Sequence, residues 1–405
     1  MKYDFTTIME RKGKDAYAID SIGKNPGFAP EPPEKGFDVI PMWIADMYFA
    51  TVPTVIEAIS ERLKYPHFGY FSARDEYYDE IIDWHKKRND VHDLTKECIG
   101  YENGVLGGIV SALNVFCSKG DKVLVHTPLY IGFKNILVNN GYNIITSELI
   151  LDENGKYRMD FDDMEKKIKE HKIHATIFCS PHNPAGRVWE KEEIVKAMNL
   201  FEKYNVYIAS DEIWSDIILY NNKHIPTQSV SDYAKNHTIS FYSLSKTFNL
   251  AGLVGSYHII YNKYLKDRMQ KESSLSHYND MNMLSMYAQI GAYKKEGHEW
   301  LDELRTVLSE NMTFAMNFIK EHFKGVKFSP PEGTYMLYLD CTEWCKENNK
   351  TIEEVEKSCW KVGVALQDGK MFYGTCHLRV NLAMPLVRIK EAFERLDKYV
   401  FNKKI

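Results

Sequence analysis

Three residues in the sequence stand where chemistry could be done, each at the end of an apolar, strand-like run. Asn183 lies in the rigid turn Ser180-Pro181-His182-Asn183-Pro184-Ala185-Gly186, directly after Ala175–Cys179. Asp211 and Glu212 follow Val206–Ala209, and Lys246 lies in Ser243-Leu244-Ser245-Lys246-Thr247-Phe248 after Thr238–Tyr242. Taken singly, each has an ordinary explanation: a turn-making asparagine, a helix-capping aspartate and a surface lysine. The lysine segment also spells S-x-x-K, the signature of one class of activated serine nucleophiles. That reading needs S-D-N and K-T-G companions, and the chain offers only Ser231-Asp232-Tyr233 and Lys246-Thr247-Phe248.

Together the three residues meet the needs of pyridoxal phosphate chemistry. A lysine carries that cofactor as a Schiff base, a carboxylate holds the pyridine nitrogen protonated, and an amide donor reaches the ring oxygen.

The elements around them alternate. Strand character appears at Lys122–His126, Tyr142–Ile150, Ala175–Cys179, Val206–Ala209, Thr238–Tyr242 and Ser256–Ile260. Helical patterns fall between several of these, at Val105–Cys117, Ile131–Asn139, Asp162–His171 and Glu190–Tyr204. Such alternation predicts an α/β domain with a mainly parallel sheet covered on both faces. Ligands of such sheets collect beyond the carboxyl ends of the strands, where Asn183, Asp211 and Lys246 fall. Before this region a helix starts near Thr51 with Pro53 in its first turn, presenting Val52, Val55, Ile56, Ile59 and Leu63 as one apolar face. Residues 1–50, rich in Pro and Gly, read as an extended arm associated with a smaller domain rather than as a domain. Residues 51–295 form the large domain. Residues 296–405 form a smaller α/β domain, with strands at Thr334–Leu339, Val362–Leu366 and His377–Leu382 and helices at Ile352–Trp360 and Val387–Tyr399.

Composition excludes several function classes. The 405 residues carry 51 basic and 56 acidic side chains, well mixed, for a net charge of −5. A dedicated nucleic-acid binder should show a basic stripe instead. No run approaches the roughly 20 apolar residues that span a bilayer, and the N-terminus has no signal-peptide core. The seven cysteines are scattered without a C-x-x-C pair. Cys341 and Cys345 are weak evidence of a metal, so reduced thiols in a cytoplasmic protein, and no metal site, are expected.

The motifs S-P-H-N-P-A-G, S-D-E-I-W and S-L-S-K-T-F-N-L-A-G resemble those of the class I/II aminotransferases, the fold-type I pyridoxal phosphate (PLP) enzymes. The resemblance runs along nearly the whole chain, and it implies roles for further residues. Gly104, Val105 and Leu106 would open a helix onto the cofactor phosphate, with help from Ser243; Tyr130 would stack on the pyridine ring. Tyr70, in Phe68-Gly69-Tyr70, would reach the neighbouring subunit's phosphate, implying a homodimer with shared sites. Arg379, in Leu378-Arg379-Val380-Asn381-Leu382, would clamp the substrate carboxylate through paired hydrogen bonds, with Asn183 also on the substrate side.

Two positions depart from the wider family. Trp214 stands where many members have a Tyr that bonds the ring oxygen, and Val254 where many have a phosphate-binding Arg. With Val39–Met47 and Pro331-Glu332-Gly333-Thr334-Tyr335, these departures resemble the cystathionine β-lyase branch, although Tyr48 replaces that branch's usual Asp. The resemblance thus implies a PLP-dependent carbon–sulfur lyase, with Lys246 as catalytic base, acting on a small amino-acid substrate. An aminotransferase using the same residues, and a PLP-binding regulatory protein without turnover, are the alternatives.

Overall fold

A computed structural model describes residues 1–276 and 279–402. The central sheet has seven strands: β1 (Ile99–Glu102), β2 (Lys122–Thr127), β3 (Asn143–Glu148), β4 (Ala175–Cys179), β5 (Tyr207–Asp211), β6 (Thr238–Ser243) and β7 (Ser256–Ile259). Their spatial order is β1-β7-β6-β5-β4-β2-β3. Strands β2 to β6 pair in parallel, whereas β7 runs antiparallel to both β1 and β6. The α/β class expected from the alternating pattern is therefore the one observed.

Alternation along each strand explains how both faces are filled. Ala175, Ile177, Ala209, Ile239 and Phe241 point to one face, against Ile109 and Leu113 of the helix Val105–Phe116. Phe178 and Ile208 point to the other, against Ile194, Met198 and Phe201 of the helix Lys191–Lys203. A sheet covered on both sides needs near-continuous burial along its strands, and β4 and β6 are buried throughout.

Register then brings the three motifs together. Cys179 pairs with Asp211, and Asp211 with Phe241, so the chain leaves β4, β5 and β6 at one common edge.

A second sheet, antiparallel, follows a 28-residue helix, Lys295–His322. Its strands are β8 (Lys327–Phe328), β9 (Met336–Asp340), β10 (Gln367–Asp368) and β11 (His377–Asn381), in the order β8-β9-β11-β10. The helices Ile352–Lys361 and Leu386–Leu396 bury Val355, Cys359, Ile389 and Phe393 in the core it shares. The N-terminal segment joins this part of the molecule: Ile40 and Pro41 pair in parallel with Val364 and Ala365. Trp43 is fully buried, and its indole N–H donates to Ala18 O at 2.9 Å.

The turn after β4 meets the loop leading to β9. Glu332 and Gly333 both donate their N–H to Gly186 O, at 2.8 and 3.0 Å. Gly186 has φ +68°, and a Cβ there would overlap Pro331. Only glycine permits that approach. Arg187, 1% exposed, pairs with both Glu332 and Glu193 beneath the same contact.

Three expectations need correction. The strand expected over Tyr142–Ile150 stops at Glu148; Ile150 and Leu151 instead pair with Tyr157 and Arg158. The strand expected over Val362–Leu366 is only Val364–Ala365. The first large helix is Pro53–Leu63, and its apolar face is not all inside. Val52 and Val55 are buried, but Ile56 and Leu63 are exposed, as are Tyr65, Phe68 and Tyr70 further along the chain. Periodicity marks a stripe to be covered without saying that the same chain must cover it.

Candidate active site

A cavity of about 250 Å³ opens where β4, β5 and β6 end. Asn183, Asp211, Lys246, Tyr130 and the Gly104–Leu106 helix start all line it. Such a volume lies just under the range typical of drug-sized ligands and suits a small, flat molecule.

Asp211 is the last residue of β5 and is 4% exposed. Its Oδ1 accepts from the Ile213 N–H at 3.1 Å. Burial pushes its carboxyl up to about 7, against the pull of that N–H and of Lys246. Its neighbour Glu212 turns to the opposite side, as strand alternation requires. There it accepts from His224 Nε2 at 2.8 Å, Tyr242 Oη at 2.7 Å, Ser210 Oγ at 2.9 Å and the Thr227 N–H at 3.1 Å. The acidic pair in the sequence is thus one cavity carboxylate and one network member.

Lys246 sits in the single turn Leu244–Thr247 that follows β6. Its Nζ donates to Ala45 O at 2.8 Å and lies 5.6 Å from the centre of the Trp214 ring. Burial, and then the Arg379 cation, push its ammonium down to about 8; Asp46 and Asp211 act in the opposite sense. A lysine in that range exchanges its proton near neutral pH, as an amine nucleophile or base must.

Asn183 is 4% exposed, and its Oδ1 has no hydrogen-bond partner. The helix Val105–Phe116 starts at the cavity with Gly104 at φ +93° and no side-chain cap. Its first-turn N–H groups and the positive end of its dipole face the same space, which suits an anion. Tyr130 precedes the helix Ile131–Asn139. Its position depends on Gly132, where a Cβ would overlap the Tyr130 ring and come within 2.9 Å of Leu106 Cδ1.

Arg379, in the middle of β11, is 4% exposed and approaches from the second sheet. Its Nη2 donates to Trp43 O at 2.9 Å and to Gln367 Oε1 at 3.0 Å, and its guanidinium lies 4.2 Å from the Phe372 ring centre. Nε and Nη1 are buried without partners among the described residues. Burial pushes the guanidinium down to about 10, which leaves it cationic at neutral pH. A fixed, desolvated guanidinium with two unpaired nitrogens has the geometry to pair with a carboxylate.

Arg379 is not among the residues that line the cavity, and two further expected residues lie elsewhere. Ser243 Oγ accepts from the Ser245 N–H at 3.1 Å and donates to Gly255 O at 2.8 Å, so it caps its own turn. Ser245, two residues on, lines the cavity instead. Tyr70 is fully exposed and does not line this chain's cavity. Val254, the position without the arginine, is half exposed at φ +59°.

Motif reading also missed residues that the arm contributes. Ala45 O accepts from both Lys246 Nζ and Tyr335 Oη, the latter at 2.9 Å. Asn381 Nδ2 holds Ile44 O and Asp46 O at 2.7 and 2.6 Å, and the Asn249 amide brackets Met47 N and O at 2.9 Å each. Trp214, 2% exposed, walls the cavity and meets the Tyr335 ring edge-on. The only sequence signal was the stretch as a whole, Ile44-Ala45-Asp46-Met47, an apolar run interrupted by one carboxylate, which marks none of these backbone contacts.

The family model for aminotransferase class I and II matches residues 38–396. The chain belongs to this family. Cystathionine beta-lyase PatB of Bacillus subtilis is 32% identical over 396 residues, 97% of this chain and 98% of that one. Protein MalY of Escherichia coli is 28% identical, with 96% of each chain covered. Among solved structures, cystalysin of Treponema denticola, containing PLP, superposes with a TM-score of 0.90 at 32% identity, covering 98% of this chain and 99% of that one. The PLP-bound C-S lyase of Staphylococcus hominis gives 0.88 at 31%, with 98% of each covered.

PLP is the cofactor of this family, and the cavity fits it. An uncapped helix start can take the phosphate, and Asn183 lines the cavity with an amide that can meet a ring substituent. Asp211, a buried carboxyl held near neutrality, becomes a stable carboxylate once a pyridinium charge lies beside it.

Proposed function

We propose that the protein is a PLP-dependent carbon–sulfur lyase that cleaves S-substituted L-cysteines, such as cystathionine, by α,β-elimination to a thiol, pyruvate and ammonia. The observation that carries this reading is one cavity lined by Lys246, Asp211 and Asn183, approached by Arg379 with two free N–H groups. Its likeness along the full chain to relatives named as C–S lyases supports the choice of reaction.

When bound, PLP supplies an electrophilic carbonyl carbon for amines and a ring that accepts the electrons released at the substrate Cα. Lys246 would hold the cofactor through its amine, and its free Nζ would serve as the base for the substrate Cα proton. Asp211 would keep the ring nitrogen protonated, and Asn183 Nδ2 would donate to the ring oxygen and border the substrate. Tyr130 would lie against the ring, and the N–H groups of the Gly104–Leu106 start would bind the phosphate. Arg379 offers Nε and Nη1 to the α-carboxylate, fixing Cα toward the lysine. Trp214 and Ile213 exclude water beside Asp211.

The active form is a homodimer. Ile56, Leu63, Tyr65, Phe68 and Tyr70 are large apolar side chains exposed in one chain, which a partner subunit would cover, and Tyr70 would then serve the partner's phosphate site as the family resemblance implies. We place the enzyme in the cytoplasm, where its seven free cysteines stay reduced. Among the described residues no helix is long and apolar enough to cross a membrane.

Lys246→Ala tests the assignment. The variant should fold, lose the cofactor's covalent attachment, and release no pyruvate from L-cystathionine. Full turnover by that variant overturns the mechanism.

A further inference from the structure

We propose that Cys117, Asp121 and His174 form a zinc site at the edge of the central sheet opposite the active site. The three come from separate segments: Cys117 ends the helix Val105–Phe116, Asp121 precedes β2, and His174 precedes β4. One ligand atom of each lies within 4.8 Å of the other two, and all three side chains are half-buried. No sequence spacing signals the group, because only the register of β2 beside β4 brings it together.

The backbone fixes each ligand. The Cys117 N–H donates to Leu113 O at 2.7 Å, and the Asp121 N–H to Ser118 O at 3.0 Å. Asp121 O accepts from the Asn143 N–H at 2.9 Å, and His174 O from the Tyr207 N–H at 2.8 Å. Asp121 Oδ2 also accepts from the Ser118 N–H at 2.7 Å, an outer partner of the kind that orients a ligating carboxylate.

His174 Nε2 and Asp121 Oδ2 stand 3.3 Å apart. That is looser than the roughly 2.7–2.9 Å of a charge-assisted hydrogen bond. It matches the about 3.3 Å that two ligands on bonds of about 2.05 Å span around tetrahedral zinc. A sulfur at about 2.3 Å from the metal lies about 3.6 Å from either, so Cys117 Sγ closes by at most about 1 Å, within side-chain motion. One thiolate, one imidazole and one carboxylate form a donor set that selects zinc over magnesium or calcium and leaves a fourth position for water. The metal would tie the far end of the helix that opens onto the active-site cavity to the starts of β2 and β4.

The test uses PLP-loaded protein freed of metal by a chelator, then titrated with Zn²⁺ by calorimetry and with Co²⁺ by visible absorption. One Zn²⁺ per chain is expected, with a tetrahedral cobalt spectrum carrying a thiolate charge-transfer band. Cys117→Ser and His174→Ala should each weaken zinc by at least the roughly 10–100-fold that loss of an outer partner alone costs. Cys117→Ser should also abolish the charge-transfer band. Unfolding midpoints of both variants without zinc should match the parent's, which separates lost ligation from misfolding. A parent chain that retains no zinc, or a Cys117→Ser variant that binds it unchanged, overturns the proposal.

Discussion

Arg379→Lys keeps a cation in β11 and removes the planar fork. In the parent chain Nη2 is committed to Trp43 O and Gln367 Oε1, leaving Nε and Nη1 for the substrate. A hydrogen bond to a charged group contributes about 1.5–3 kcal/mol, so two of them contribute about 3–6 kcal/mol to substrate binding. At about 1.4 kcal/mol per tenfold, kcat/KM for L-cystathionine should fall by about 10²–10⁴-fold. The assay is pyruvate release followed by coupled lactate dehydrogenase, with circular dichroism to verify folding. The control is the matching substrate amine that lacks the α-carboxylate, on which parent and variant should be equally poor. A loss under tenfold on the full substrate, or an equal loss on the carboxylate-free amine, refutes carboxylate clamping by Arg379.

Four further outcomes follow from the geometry. In cofactor-free protein Asp211 holds its proton up to about 7 against an ordinary 3.8, so the folded chain binds a proton that the unfolded chain has released. Stability therefore falls as pH rises through that window, by on the order of 4 kcal/mol when fully developed. Asp211→Asn should flatten this dependence in thermal melts, whereas parallel parent and variant curves would contradict it. Gly132→Ala should push the Tyr130 ring out of place and weaken PLP binding by about tenfold or more, read from cofactor fluorescence. Glu332→Gln removes one carboxylate from buried Arg187, leaving Glu193 and the more distant Glu190, and should cost about 3 kcal/mol in denaturant unfolding. Leu63→Glu places a charge on the exposed face beside Tyr70 and should shift sedimentation from dimer toward monomer.

The cavity edge was legible because parallel strands impose it. Once Ala175–Cys179, Val206–Ala209 and Thr238–Tyr242 read as successive strands, their carboxyl ends had to adjoin, and Asn183, Asp211 and Lys246 came with them. Local spelling could not separate Ser243 from Ser245, because which hydroxyl caps the turn depends on where Gly255 O lies. Ala45 was invisible for a related reason: its contribution is a backbone carbonyl, placed by Asn381 and Asn249 from remote segments. The same holds for Tyr335, which shares that carbonyl with Lys246 across 290 residues of chain. The exposed half of the Pro53–Leu63 stripe shows the converse, since a pattern can demand burial that a single chain does not provide.

The central claim is elimination at a carbon–sulfur bond, and one assay tests it most directly. Purified, PLP-loaded protein is given L-cystathionine with and without 2-oxoglutarate, while pyruvate, free thiol and the cofactor's absorbance are followed together. The account predicts equal amounts of pyruvate and thiol over many turnovers with no oxo acid present. Absence of pyruvate, with the cofactor converting to its amine form and returning only when the oxo acid is added, would contradict it and make the protein an aminotransferase.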